Sequence, residues 1–179
     1  MDNAEFEKRG DMVAGRYGCG IVHIGQKIFV FGGQDDLNGN VRTSECYNMP
    51  CNKWTPLTTC SIPDPFTYGI SVIAVHQRYI FGFGGSNNLR QGAGKDDGTM
   101  RIMRLDILKL ERGWRQIYVQ SPGKENCFYQ GVFPCGRKDD DTYELLIFGG
   151  VVCPLSETSE RTAIFRTSLS DFEQSQIIP

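Results

Sequence analysis

The sequence has no Cys-x-x-Cys pair, no apolar run approaching a membrane span, and no large excess of either charge sign. Each absence removes a class of protein. A transmembrane helix needs about 18 or more consecutive apolar residues, and the apolar stretches here are short, residues 70–75 being typical. The formal net charge over 179 residues is −2, and lysines and arginines never follow one another beyond a pair. Nucleic acid and anionic membranes both demand a basic face, so neither is an expected partner. The opening Met1-Asp2-Asn3-Ala4-Glu5 is acidic and carries no apolar h-region, so no secretory signal is read there. Seven cysteines (19, 46, 51, 60, 127, 135 and 153) make an odd count without paired spacing. That argues against disulfide staples and gives a structural zinc site no ligand pair to start from. With no Asn-x-Ser/Thr acceptor either, the expected location is a reducing, cytoplasmic one.

What is present is a repeated strand. Lys27-Ile28-Phe29-Val30-Phe31-Gly32-Gly33, Tyr79-Ile80-Phe81-Gly82-Phe83-Gly84-Gly85 and Glu144-Leu145-Leu146-Ile147-Phe148-Gly149-Gly150 share one pattern, and their diglycines lie 52 and then 65 residues apart. Such runs are short, rich in β-branched and aromatic residues and stopped by glycine, which predicts strand rather than helix. Their apolar residues are consecutive instead of alternating, so both faces of each strand are expected to be buried between other layers. A partner strand precedes each run, at 17–24, 68–76 and 128–134. The joining turns are Gly25-Gln26, Gln77-Arg78 and a longer polar insert over 136–143, so each pair reads as a hairpin. Two further strands follow the first diglycine, at 44–47 and 53–57, giving a unit of four.

The unit resembles the kelch repeat. The stretch that carries the likeness is Tyr47-Asn48-Met49-Pro50-Cys51-Asn52-Lys53-Trp54-Thr55-Pro56-Leu57, with its aromatic residue and a Trp seven positions later. Residues 12–16 look like the lead-in to a first kelch strand. In the second unit Arg104-Leu105-Asp106 begins the third strand, and Trp114 follows nine residues after Leu105, so the turn has lengthened. In the third unit Phe165-Arg166-Thr167-Ser168 matches Met103-Arg104-Leu105-Asp106, but Ser175 or a neighbour stands where the Trp belongs. The resemblance implies an all-β fold: a partial kelch-type β-propeller of about three four-stranded antiparallel blades. The expected organisation is a tail or remnant strand over 1–10, blades over 11–60 and 61–122, and a divergent blade over 123–179. The fourth strand of that last blade falls at 174–178. Trp54 and Trp114 are expected in the core, and His23 and His76 as structural groups. Propellers close rings of 4–8 blades. Three units leave two readings open: part of a longer propeller, or open apolar faces covered by a partner chain or a second copy.

Motifs that invite chemistry fail on spacing. Gly92-Ala93-Gly94-Lys95-Asp96-Asp97-Gly98 lacks the Gly-x-x-x-x-Gly-Lys-Ser/Thr order of a phosphate loop. Asp36, Asn38 and Asn40 alternate as in a calcium loop, but Val41 and Tyr47 stand where Gly and Glu are required. Asp139-Asp140-Asp141 reads as a solvated hairpin tip. No nucleophile–base constellation can be assembled from two histidines, and copper-oxidase ligands cannot be traced onto the sequence. No catalytic residue, metal or cofactor is therefore expected.

The kelch resemblance implies binding through the loops after each diglycine and between blades, here 34–43, 86–99, 151–161, 58–65 and 120–126. Arg42, Asn87, Asn88, Arg90, Glu157 and Arg161 are the candidate contact residues, since Arg and Asn supply directional hydrogen bonds at polar interfaces. The expected function is a non-enzymatic protein-interaction or scaffold module, with protein partners held by loops or open blade faces and with self-association. The alternative is a small-molecule or carbohydrate-active propeller working at the central mouth.

Overall fold

The computed structural model describes residues 5–37, 39–63, 67–85, 99–120, 127–128, 131–137, 142–148, 151–152 and 162–168. Apart from one 3-10 turn, Leu110–Arg112, its regular structure is all strand. The first sheet joins β1 (Gly20–Ile24), β2 (Lys27–Phe31), β5 (Ser44–Asn48) and β6 (Lys53–Leu57) in that spatial order, every pair antiparallel. Between β2 and β5 a small hairpin intervenes, β3 (Gln34–Asp35) and β4 (Gly39–Asn40). The second sheet repeats the meander with β7 (Ser71–Val75), β8 (Tyr79–Phe83), β9 (Thr99–Asp106) and β10 (Arg115–Gln120). A two-stranded ladder, β11 (Cys127–Phe128) with β14 (Val151–Val152), accompanies a third sheet of β12 (Gly131–Arg137), β13 (Thr142–Phe148) and β15 (Thr162–Ser168). The 174–178 segment lies outside the described residues. β7 packs beside both β1 and β12, so the first strands of successive sheets neighbour one another.

Register decides which side chains face which layer. Directly opposed residues point the same way, and Phe29↔Cys46 and Phe31↔Ser44 set one face of the first sheet. In the second sheet Ala74↔Ile80, Ile80↔Leu105 and Gly82↔Met103 set the facing one. Phe29, Phe31 and Cys46 meet Ile80, Met103 and Leu105 in one core, which Ile62, Ile70 and Cys60 complete. The opposite face of the second sheet, with Ile73, Val75, Phe81, Phe83 and Ile102, packs on Leu145 and Ile147 of β13 in a second core. Consecutive residues of β2 and β8 therefore enter different layers. Phe29, Val30, Phe31, Ile80, Phe81 and Phe83 are all buried, as the unbroken apolar runs predict. At about 1.5–3 kcal/mol for each large apolar side chain removed from water, these strands dominate the stabilisation.

The diglycines are required by space and by dihedral angle. Gly32 and Gly33 have φ of 65° and 101°, and Gly84 and Gly85 repeat them at 65° and 103°. A Cβ on Gly32 would stand 2.3 Å from the Thr67 carbonyl oxygen, while the Gly33 N–H donates to that same oxygen. The first diglycine is thus the contact through which one sheet holds the strand leading into the next.

Candidate binding site

The connection that follows Gly32-Gly33 builds a raised hairpin at one end of the first sheet. Gly39, the first residue of β4, has φ of 76° and pairs with Asp35, and the Gln34 side-chain amide donates to Asn40 Oδ1 at 3.0 Å. The Asp35 carboxylate accepts the Leu37 N–H at 3.0 Å, an Asx-type turn that orders the tip. Paired backbone bonds between Tyr17 and Gln34, both 2.9 Å, pin the hairpin to the chain leading into β1. Val41 N–H closes the far side onto the Gly33 carbonyl. Leu37 is left 93% exposed at the tip and Tyr17 47% exposed beside it. Tyr17, Asp35, Asp36 and Leu37 line an open cleft of about 490 Å3 there, together with Gly15 and Arg16.

Beneath this cleft lies a buried ion pair. Arg16 and Glu45 have side chains 0% and 2% exposed. Glu45 accepts the Val13 and Ala14 N–H groups at 2.8 and 3.0 Å and Arg16 Nη2 at 2.5 Å. Arg16 donates through Nε to the Ala14 carbonyl, through Nη1 to the carbonyls of Gly32 and Thr43, and through Nη2 also to Thr43 Oγ1. All five guanidinium N–H groups thus have acceptors. The network ties the lead-in chain, the diglycine and β5 into one unit. It also covers the face of the first sheet turned away from the second, helped by the Trp54 indole N–H, which donates to the Gly10 carbonyl at 2.8 Å.

Of the residues expected to make contacts, Arg42 lies in the same 34–43 connection as Leu37. It is exposed, and its Nε donates to the Ile62 carbonyl at 3.2 Å. The Ile62 N–H returns a bond to the Arg42 carbonyl, so Arg42 clasps the link between the sheets as well as facing solvent. Asn87, Asn88, Arg90, Glu157 and Arg161 lie outside the described residues, as does the 92–98 loop. Trp114 is half-buried on the first core, its ring edge-on to Phe31 with centroids 5.0 Å apart and its N–H donating to the Cys60 carbonyl. The two histidines, expected as structural groups, are both exposed. His23 lies on β1, and His76 lies in the β7–β8 turn with φ of 56°. Among the described residues no three His, Cys, Asp or Glu side chains gather as metal ligands could, and no helix is long and apolar enough to cross a membrane.

The repeated four-stranded meander, the paired glycines at matching dihedrals and the Tyr47–Trp54 pair (centroids 5.1 Å apart) coincide with a direct match of residues 15–61 to the Kelch motif. The chain carries a kelch repeat. Beta-scruin of Limulus polyphemus is 39% identical over 66 residues, which cover 36% of this chain and 7% of that protein. Alpha-scruin of the same organism is 29% identical over 122 residues, 68% of this chain and 13% of the relative. The chain therefore spans a small fraction of the curated relatives it matches. In kelch terms the β3–β4 hairpin is the loop between second and third blade strands, which the sequence pattern marks only as a polar stretch after Gly-Gly. Two features of the site escape the sequence pattern, the buried Arg16–Glu45 pair and the exposure of Leu37 and Tyr17 at one cleft. The residue type at 45 was their one available signal: a lone carboxylate inside the strand Ser44-Glu45-Cys46-Tyr47.

Proposed function

We infer that this kelch chain is a protein-interaction module that takes its partner on the diglycine rim, with the β3–β4 hairpin as the leading contact. The observation that carries this reading is a leucine 93% exposed on a hairpin held by its own side-chain bonds and by paired backbone bonds to Tyr17, the neighbour of the buried Arg16. A rigid scaffold presenting an apolar tip loses little ordering entropy on binding. Asp35 and Asp36 beside Leu37 and Tyr17 suit a partner segment that offers an apolar residue flanked by lysine or arginine. The related proteins support a binding role in kind and supply no partner.

Site-specific photo-crosslinking tests it. A photoreactive residue at position 37 should yield discrete protein adducts in extracts of the native source, and the added Asp36→Lys substitution should suppress them. The same residue at Leu108, exposed in the β9–β10 connection at the opposite end of the second blade, should not yield them. Equal adduct patterns at 37 and 108 would overturn the assignment of the rim.

A further inference from the structure

A second site of opposite character lies at the other end of the second blade. The β7–β8 turn, the end of β9 and the β9–β10 connection enclose a cavity of about 220 Å3 lined by five cations, Arg78, Arg104, Lys109, Arg112 and Arg115. Register brings them together from separate segments: Tyr79 lies opposite Asp106, and Arg104 opposite Arg115. The cavity's one carboxylate, Asp106, is committed to Arg78 through a bidentate pair, Nε–Oδ1 at 3.1 Å and Nη2–Oδ2 at 2.7 Å. It also accepts the Leu108 N–H. Among the described residues no salt bridge neutralises Arg104, Lys109, Arg112 or Arg115.

Arg104 supplies the second, independent observation. It is only 9% exposed, and its Nη1 is buried with no hydrogen-bond partner among the described residues. A buried guanidinium donor left unmade is costly and calls for an acceptor. The Tyr79 ring beside it already carries the guanidinium carbons of Arg78 at 4.7 Å and Arg104 at 5.2 Å from its centroid, so it braces the cations and is no platform for a base or sugar. The volume lies below the roughly 300–1,000 Å3 of sites that enclose a drug-sized ligand, so the cavity takes one small group. A phosphate monoester brings about −1.5 to −2 charges and three acceptor oxygens, whereas a carboxylate brings one charge and two. Guanidinium forks pair with phosphate bidentately.

We propose that this cavity is a phosphate-monoester site, with Arg104 as its buried cation and Lys109 and Arg112 as its exposed clamps. The ligand group is a free phosphate or the phosphorylated side chain of a protein. The site is separate from the rim and stands or falls independently of the partner assigned there.

Titration calorimetry on the full chain tests it, using inorganic phosphate, the peptide Ala-Gly-phosphoserine-Gly-Ala and its unphosphorylated twin. Phosphate and the phosphopeptide should bind, the unphosphorylated peptide should not, and rising salt should weaken binding. Lys109→Glu and Arg112→Glu, both at exposed positions, should each weaken binding at least tenfold without moving the unfolding midpoint. Arg104→Met should abolish it. Phosphopeptide binding tenfold or more above phosphate identifies a phosphoprotein as the ligand source, and equal binding identifies the free anion; both support the site. No phosphate-dependent heat at millimolar concentrations, or unchanged binding in the Lys109 and Arg112 variants, would overturn it.

Discussion

Truncating Glu45 to alanine strands the Arg16 guanidinium inside the first blade. Both side chains are essentially inaccessible to solvent, so water cannot replace the lost carboxylate, and the Val13 and Ala14 N–H groups lose their acceptor as well. Breaking one partner of a buried pair costs about 3–5 kcal/mol. With a urea dependence of about 2 kcal/mol per molar, the unfolding midpoint of the Glu45→Ala variant should fall by roughly 1.5–2.5 M. Arg16→Ala should cost a similar amount, because it also frees the Gly32 and Thr43 carbonyls. The double variant should cost far less than the sum, with a coupling of about 2 kcal/mol or more, since it leaves no unpaired charge. Repeating the series in about 0.5 M salt should change little, as buried pairs are poorly screened. Urea titrations followed by tryptophan fluorescence read all four corners of the cycle. Single-variant losses below about 1 kcal/mol, or strict additivity, would refute the claim that this pair anchors the rim.

Three further outcomes follow from local geometry. Gly25 has φ of +59° with open space where a Cβ would go, whereas Gly32 meets a carbonyl oxygen; Gly25→Ala should therefore cost about 1–2 kcal/mol of left-handed strain and Gly32→Ala clearly more, by urea unfolding. The hydrogen bond from Arg78, aided by that from the Leu108 N–H, holds the Asp106 carboxyl below its ordinary value. Its stabilisation is complete above the ordinary carboxylate range and is lost as pH falls through the lowered value, so Asp106→Asn should flatten the acid limb of a Tm–pH profile, and an unchanged limb would contradict this. Burial pushes the Cys60 and Cys46 thiols up while Cys51 is exposed, so peptide mapping after brief alkylation of native protein should find Cys51 modified and Cys60 untouched until urea is added.

The blades were legible because their strands announce themselves locally. Phe29-Val30-Phe31 and Phe81-Gly82-Phe83 carry apolar residues on both faces and end in glycines that only positive φ explains. The sequence pattern sets strand identity well and strand limits less well. The apolar pattern starts the first strand at residue 17, yet Tyr17 makes only an isolated bridge to Gln34, and the continuous ladder starts at Gly20. Gly18, with φ of 62°, turns the chain between them. The post-diglycine connection carries no strand signal in the sequence, because β3 and β4 are two residues each and their polar composition has no period. The sites were hidden for a different reason. Glu45 is the one charged residue of its strand, and its partner lies 29 residues away. The five cations of the second-blade cavity lie singly along 78–115 and form no basic run; the pairing of β8, β9 and β10 together with the β9–β10 connection gathers them. Of the rim residues favoured from the sequence, Arg42 alone lies in the described structure, and there it also joins two blades.

Separate antiparallel sheets stack face to face, with the aromatic residues of β2 pressed on the second blade. A nuclear Overhauser map of uniformly labelled protein tests that most directly. It should show the Phe31 ring against the Trp114 indole, whose centroids lie 5.0 Å apart, and cross-strand amide contacts within each sheet. A continuous ladder joining Lys53–Leu57 to Ser71–Val75 in one sheet, without the Phe31–Trp114 contact, would contradict the stacked-blade arrangement.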